Sequence, residues 1–98
     1  MFNDLRKRKR MDEVLVKLKI QLDQQEWPNV YLFKFIVPNE DEQVAQVSAL
    51  FDESVDMVLH PSRTGKYMSL SAKELMLDVD SILQKYEAAA KIKGVIAL

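Results

Sequence analysis

The sequence predicts an α+β fold of the ferredoxin-like kind, a βαββαβ sandwich preceded by one extra amino-terminal helix. Apolar residues recur at helical or strand spacing in the order helix, strand, helix, strand, strand, helix, strand. A glycine-containing turn separates the two consecutive strands, as a hairpin requires. A chain of 98 residues with 48% hydrophobic content also has room for one core of this size.

The amino terminus differs in charge from the rest of the chain. Residues 6–10 read "RKRKR", whereas the chain from Met11 onward has 9 basic and 14 acidic residues, a net charge of −5. We interpret residues 1–10 as a basic, disordered tail and residues 11–98 as a single domain with its core in residues 29–98. A cationic run also supports a hypothesis of binding to nucleic acid or another anionic surface.

The first predicted element is an amphipathic helix over about residues 12–25. Its apolar stripe is predicted to consist of Val14, Leu15, Leu18 and Leu22. Pro28 ends it, because proline disfavours helical geometry in the residue before it. This helix lies outside the βαββαβ plan, so we expect it to cover a sheet edge or the open face of the sheet, or to dock on a second subunit.

The next segment, "VYLFKFIVP" at residues 30–38, is apolar on both alternating faces and is therefore predicted to be a central strand. Pro38 ends this strand. Asn39 is predicted to cap the following helix, with Glu42 completing a capping box, and the helical spacing continues to about Asp52.

The stretch "HPSRTGKY", residues 60–67, is predicted to be the hairpin between a second strand that starts at Val55 and a third strand over residues 67–77. Gly65 is expected to have a positive φ in that turn. In the third strand Met68, Leu70 and Ala72 are predicted to face the core, with Ser69, Ser71 and Lys73 facing solvent.

The last helix is predicted to start after Asp78, which can cap it, and to end near Gly94. Its buried side is predicted to comprise Val79, Ile82, Leu83, Tyr86 and Ala89 or Ala90. The closing "VIAL" supplies a fourth strand. Right-handed crossovers then place the first and third strands at the centre of the sheet.

Three segments resemble a known family. "HPSRTGKYMSLSAKELM" is similar to the stretch P-S-S-K-G-N-Y-x-S-V-S of the YbeD-like family of small bacterial proteins, and "WPNVYLFKFIVP" and "IKGVIAL" extend the resemblance over roughly residues 26–98. Matching positions are Pro61, Ser62, Gly65, Tyr67, Ser69 and Ser71, while Arg63 and Thr64 depart from the family's usual Ser-Lys. The resemblance implies a ferredoxin-like sandwich similar to the ACT regulatory domains, and it implies no established activity.

The residues predict no enzyme chemistry, no metal site and no cofactor. Without cysteine there is no disulfide, thiolate nucleophile or zinc–thiolate site. "TGKY" is not a phosphate-binding loop, because the upstream glycine is absent and Tyr67 replaces the magnesium-binding hydroxyl. His60 is the chain's one histidine and has no oriented partner at a recognised spacing. We expect a cytoplasmic protein without a signal peptide or membrane span.

The leading hypothesis is a regulatory or interaction module that associates as a homodimer and binds a protein or small-molecule partner. The predicted binding residues are Ser62, Arg63, Lys66, Tyr67, Ser69 and Ser71. The hairpin amides and cations would contact an anion or an acidic surface. A plain hairpin turn without a binding role explains the same residues equally well. RNA binding is the alternative function, with bases stacking on Tyr31, Phe33 and Phe35 and the basic tail holding phosphates.

Overall fold

The structure is a computed structural model that describes residues 2–98, with side chains described from residue 13 onward. The elements are α1 (Phe2–Asp23), β1 (Asn29–Pro38), α2 (Asp41–Ser48), β2 (Asp56–Pro61), β3 (Tyr67–Met76), α3 (Val79–Ala90) and β4 (Ile96–Ala97). Their order is the predicted one. The chain therefore has the α+β fold with the element order of a ferredoxin-like sandwich.

The four strands form one antiparallel sheet in the order β2-β3-β1-β4. The prediction that the first and third strands are central is confirmed. β1 and β3 pair over their whole length, from Asn29 opposite Met76 to Pro38 opposite Tyr67. This long central pair is the scaffold on which the remaining elements are placed.

The core lies between one face of the sheet and the helices. Phe33, Phe35 and Val37 of β1 and Leu70 and Ala72 of β3 are buried there. These side chains alternate along their strands, as a sheet with one covered face requires. The opposite face of β1 is more exposed. The apolar residues on both sides of β1 therefore do not mean that both faces are buried, although β1 is central in the sheet.

Helix α1 begins at Phe2, ten residues before the predicted start, because leucine, arginine and lysine favour helix in residues 2–10. The division into a disordered tail of residues 1–10 and a domain of residues 11–98 stays a prediction. At its carboxyl end, Nε1–H of Trp27 donates to the carbonyl of Leu22 at 2.9 Å. This bond fixes the path by which the chain leaves α1.

Helix α1 packs against α3, so it adds to the helical side of the sheet. Leu15 and Leu22 are buried and Leu18 is partly buried against the core, as predicted. The prediction for Val14 is wrong, because Val14 is exposed and lies about 100° around the helix from Leu15.

The helix caps were predicted correctly for α3 and incorrectly for α2. Asp78 accepts the amide proton of Ser81 at 2.8 Å, which confirms the cap of α3. The residue preceding α2 is Glu40, whose side chain makes no capping bond. Asn39 does not cap α2, because its side chain donates to the carbonyl of Gly65 instead.

Candidate functional site: the open face of the sheet

The side of the sheet opposite the core is called here the open face. Strand register places on it Val30, Leu32, Lys34 and Ile36 of β1, Ser69, Ser71, Lys73 and Leu75 of β3, Asp56, Val58 and His60 of β2, and Ile96 of β4. No helix lies over these residues within the described chain. The open face is therefore the broad surface that the fold leaves available.

Much of the open face is aliphatic. The exposed fractions are 60% for Val30, 43% for Leu32, 51% for Val58, 62% for Leu75 and 56% for Ile96. Scattered exposed apolar residues are ordinary, but several on one sheet face form a patch of the kind that marks an interaction surface.

A polar column runs through the centre of this patch. Ser69, Ser71 and Lys73 follow each other along β3, and Asp56 of β2 lies opposite Lys73. Lys34 of β1 lies opposite Ser71. The open face therefore combines aliphatic margins with hydrogen-bonding groups of both charges near its middle.

The hairpin at residues 62–67 is held by its own hydrogen bonds. Ser62 donates its amide proton to the carbonyl of Tyr67 at 2.8 Å, and its carbonyl and hydroxyl oxygens accept from the amides of Gly65 and Tyr67 at 3.0 and 3.1 Å. Gly65 has φ +77°, which confirms the predicted turn geometry. Because three backbone amides of the turn are already bonded within the hairpin, few N–H groups remain to bind an anion as the sequence predicted.

Asn39 fastens this hairpin to the end of β1. Its backbone N–H donates to the carbonyl of Lys66 at 2.9 Å, and its side-chain amide nitrogen Nδ2 donates to the carbonyl of Gly65 at 2.8 Å. The turn is thus tied to the sheet at its tip. Arg63 and Lys66 remain exposed beside it.

The structure divides the six predicted binding residues into two groups. Tyr67, Ser69 and Ser71 lie on the same face of β3, so they belong to the open face. Ser62, Arg63 and Lys66 lie in the turn beyond the strand, where Ser62 has a structural role. The predicted residues are thus neighbours in space, but they do not converge on one pocket.

The chain matches a family model described as "Protein of unknown function (DUF493)" over residues 23–98. The match includes the whole sheet and covers most of the chain. The chain belongs to the DUF493 family. No curated protein and no solved structure matches it. The matched residues overlap the span of the resemblance noted from sequence.

In this DUF493 domain the aromatic residues proposed for base stacking are on the wrong side of the sheet. Phe33 and Phe35 are fully buried, and Tyr31 is partly buried and packs edge-on against Phe33 at 4.8 Å between ring centroids. Tyr67 is exposed at the margin of the open face. The stacking platform that motivated the RNA alternative is therefore part of the core.

One polar cluster of the DUF493 domain was not predicted from the sequence. Lys85 of α3 lies 3.3 Å from Glu74 of β3, donates to the carbonyl of Leu50, and sits 4.7 Å from the ring centroid of Phe51. The pair borders an open groove of about 420 Å³ between β3 and α3. No local signal in the sequence connects these residues, because the contact depends on how α3 crosses the sheet.

The described part of this DUF493 chain has neither a cluster of metal ligands nor a membrane-spanning helix. No group of three or more histidine, aspartate or glutamate residues is placed to hold a metal ion there. None of the helices in the same part of the chain combines the length and apolar composition needed to cross a bilayer.

Proposed function

We propose that this DUF493 protein is a non-enzymatic regulatory or interaction module, similar in topology to ACT domains, that binds a protein partner through the open face. The observation that carries the proposal is the exposure of five aliphatic residues around the polar column of β3. The absence of cysteine fits action in a reducing cytoplasm.

The chemistry of the open face favours a protein over other ligands. Each valine or leucine that becomes fully buried contributes roughly 1.5–3 kcal/mol, so burial of a few of them offsets the cost of association. Ser69, Ser71 and Lys73 supply the hydrogen bonds that a protein partner needs at the centre of such a contact. Small-molecule sites are concave pockets that enclose most of the ligand, whereas the open face is one side of a sheet.

The hydrogen bonds of the hairpin support a non-enzymatic function. The hydroxyl of Ser62 accepts an amide proton from Tyr67, so this serine stabilises the turn. His60 lies on the open face opposite Ser69 in the strand register and is exposed. A nucleophile needs a base that is itself oriented by a third group, and these residues have no such arrangement.

Photo-crosslinking in the native cell tests this proposal. A photoreactive residue at Ser71 reports on the open face, and one at the exposed Glu87 of α3 is the control. We expect one protein to be captured from position 71 and not from position 87. Leu32→Glu and Val58→Glu should abolish that capture, whereas Val16→Glu on the exposed side of α1 should leave it unchanged.

Three outcomes would overturn the proposal. These are capture of the same protein from both positions, no capture from position 71, or capture of RNA in place of protein. An RNA product that survives removal of residues 1–10 would establish the alternative function. If the RNA is no longer captured once residues 1–10 are removed, the RNA binding is only electrostatic attraction to the basic segment.

A further inference from the structure

The outer edge of β1 is covered along only part of its length. β1 has ten residues, whereas β4 has two and pairs with Phe35 and Ile36. One more bond, from the amide of Leu98 to the carbonyl of Lys34 at 2.9 Å, extends the cover. Residues 29–33 therefore have no strand on this side within the described chain. We call this segment the free edge.

The backbone groups of the free edge can be assigned from the pairing. In an antiparallel ladder, alternate residues direct both their N–H and C=O groups to the same neighbour. Since Lys34 bonds toward β4, Leu32 and Val30 direct their groups to the same side. The amide of Val30 is occupied by Oδ1 of Asn29 at 2.8 Å. Both groups of Leu32 and the carbonyl of Val30 remain available for another strand.

The free edge lacks the features that usually keep sheet edges apart. Natural edges carry charges, proline or bulges that prevent pairing with another chain. The opposite edge strand β2 has Asp56, His60 and Pro61 within six residues. The free edge reads "NVYLF", without charge or proline, and its residues from Val30 onward favour strand structure.

We propose that a second copy of this chain pairs antiparallel with the free edge, with Tyr31 on the two-fold axis. Val30 of each copy then lies opposite Leu32 of the other, and in each such pair the amide of Leu32 donates to the carbonyl of Val30. The proposed segment lies between Pro28 and Lys34, and the carbonyl of Lys34 is already bonded to the amide of Leu98. It contains five residues, and an antiparallel copy of the same five residues matches it in length.

The side chains next to the free edge are also self-complementary. Val30 and Leu32 are exposed on the open face, and Leu75 of β3 lies opposite Val30 in the register. Across the two-fold axis Val30 of one copy faces Leu32 of the other, so apolar surface is buried without an unpaired charge. Isologous contacts of this kind close after two copies.

The dimer would join two four-stranded sheets into one eight-stranded sheet. Both open faces then lie on the same side and stay uncovered, so the dimer does not depend on the partner proposed above. A contact of five residues per copy buries little surface, and we expect a weak, concentration-dependent dimer. Sedimentation equilibrium should show a mass that rises from the monomer value of 11.4 kDa toward twice that value.

Val30→Pro is the most direct test. The proline ring replaces the N–H of residue 30, which points away from β3, so the pairing of β1 with β3 is retained while the ring blocks the approach of a second strand. We expect this variant to remain monomeric at every concentration. Val58→Lys is the matched control, since Val58 is similarly exposed on the open face but lies on β2. It should dimerise like the unchanged protein.

Leu32→Lys provides a second variant that leaves the backbone intact, should Val30→Pro fail to fold. It places a positive charge near its equivalent across the axis and should also remain monomeric. The inference is wrong if the unchanged protein stays monomeric at millimolar concentration, or if either edge variant that folds dimerises normally. Loss of the dimer in Val58→Lys alone would assign self-association to the open face instead. Val58→Lys should dimerise while losing the protein that is captured from Ser71, which separates this inference from the proposed function.

Discussion

The ammonium group of Lys85 lies 3.3 Å from the carboxylate of Glu74 and links α3 to β3. Only 19% of the Lys85 side chain and 22% of the Glu74 side chain are exposed. The same ammonium donates to the carbonyl of Leu50 and faces the ring of Phe51. Lys85 therefore holds together three parts of the chain that are far apart in sequence.

Lys85→Met should lower the free energy of unfolding by about 1–3 kcal/mol, because Glu74 and the carbonyl of Leu50 then lose a cationic partner in a largely buried place. Urea denaturation measures the loss. Adding Glu74→Gln should recover part of it, since the amide removes the unpaired charge. Lys19→Met is the matched control, because Lys19 pairs with Asp23 at 3.0 Å on the exposed side of α1. A loss as large in the control would contradict the assignment.

The hydroxyl groups of Tyr31 and Tyr86 form a hydrogen bond of 2.7 Å between β1 and α3. Burial, and after it the hydrogen bond with Tyr31, raises the pKa of Tyr86 above its ordinary value of 10.0. The folded state thus retains a proton that the unfolded state releases above about pH 10. The stability from this group is complete below that pH and is lost as the pH rises above it.

Tyr86→Phe should lower the free energy of unfolding by about 1 kcal/mol at pH 7 and weaken its decline above pH 10. Denaturant midpoints at pH 8 and pH 11 measure both effects. The lysines titrate in the same range, so the comparison is between the variant and the unchanged protein. Identical pH slopes in the two proteins would show that Tyr86 ionises as freely in the fold as in the unfolded chain.

Asp78 gives a prediction at acid pH. The hydrogen bond from the backbone amide of Ser81 lowers the pKa of Asp78 from its ordinary value of 3.8. Its stabilising effect is therefore present above pH 3.8 and is lost as the pH falls through the lowered pKa in the fold. Asp78→Ala should lower the urea midpoint at pH 7, and Asp78→Asn should restore most of it because the amide oxygen also caps a helix. The deficit of Asp78→Ala should shrink at pH 2, and an unchanged deficit would contradict the mechanism.

Features determined by neighbouring residues could be predicted from the sequence. Apolar residues at both alternating positions of residues 30–38 predicted a central strand, and β1 is central although only one of its faces is buried. The cap at Asp78 and the turn at Gly65 depend on backbone geometry within a few residues. Tyr67, Ser69 and Ser71 were assigned to one strand face by alternation alone, and the structure places them there.

Features determined by distant contacts could not be predicted in this way. Asn39 and Glu42 have the spacing of a capping box, but the side chain of Asn39 bonds to Gly65, 26 residues away. Val30 and Leu32 are apolar like the buried residues beside them, and only the side on which the helices pack makes them exposed.

Two glycines with nearly the same backbone geometry separate conformational cost from steric cost. Gly65 has φ +77° and Gly94 has φ +79°. A Cβ at Gly65 would meet no atom within 4 Å, whereas a Cβ at Gly94 would lie 2.7 Å from Cγ of Pro38. Gly65→Ala should therefore cost about 1 kcal/mol through the positive φ alone. Gly94→Ala should cost at least about 1 kcal/mol more, because the rigid proline ring at the end of β1 must move.

Thermal or urea denaturation of the two alanine variants measures the difference directly. Pro38→Ala combined with Gly94→Ala is the informative double variant, since it removes the ring that the new methyl group would strike. We expect the double variant to regain the stability lost through the clash and to keep the loss caused by the positive φ. Its loss of stability should therefore be smaller than the sum of the losses of the two single variants. Gly65→Ala combined with Pro38→Ala should show no such coupling, because a Cβ at Gly65 would have no atom of Pro38 within 4 Å. Equal losses for the two single variants would mean that the turn after α3 does not press against Pro38 in solution.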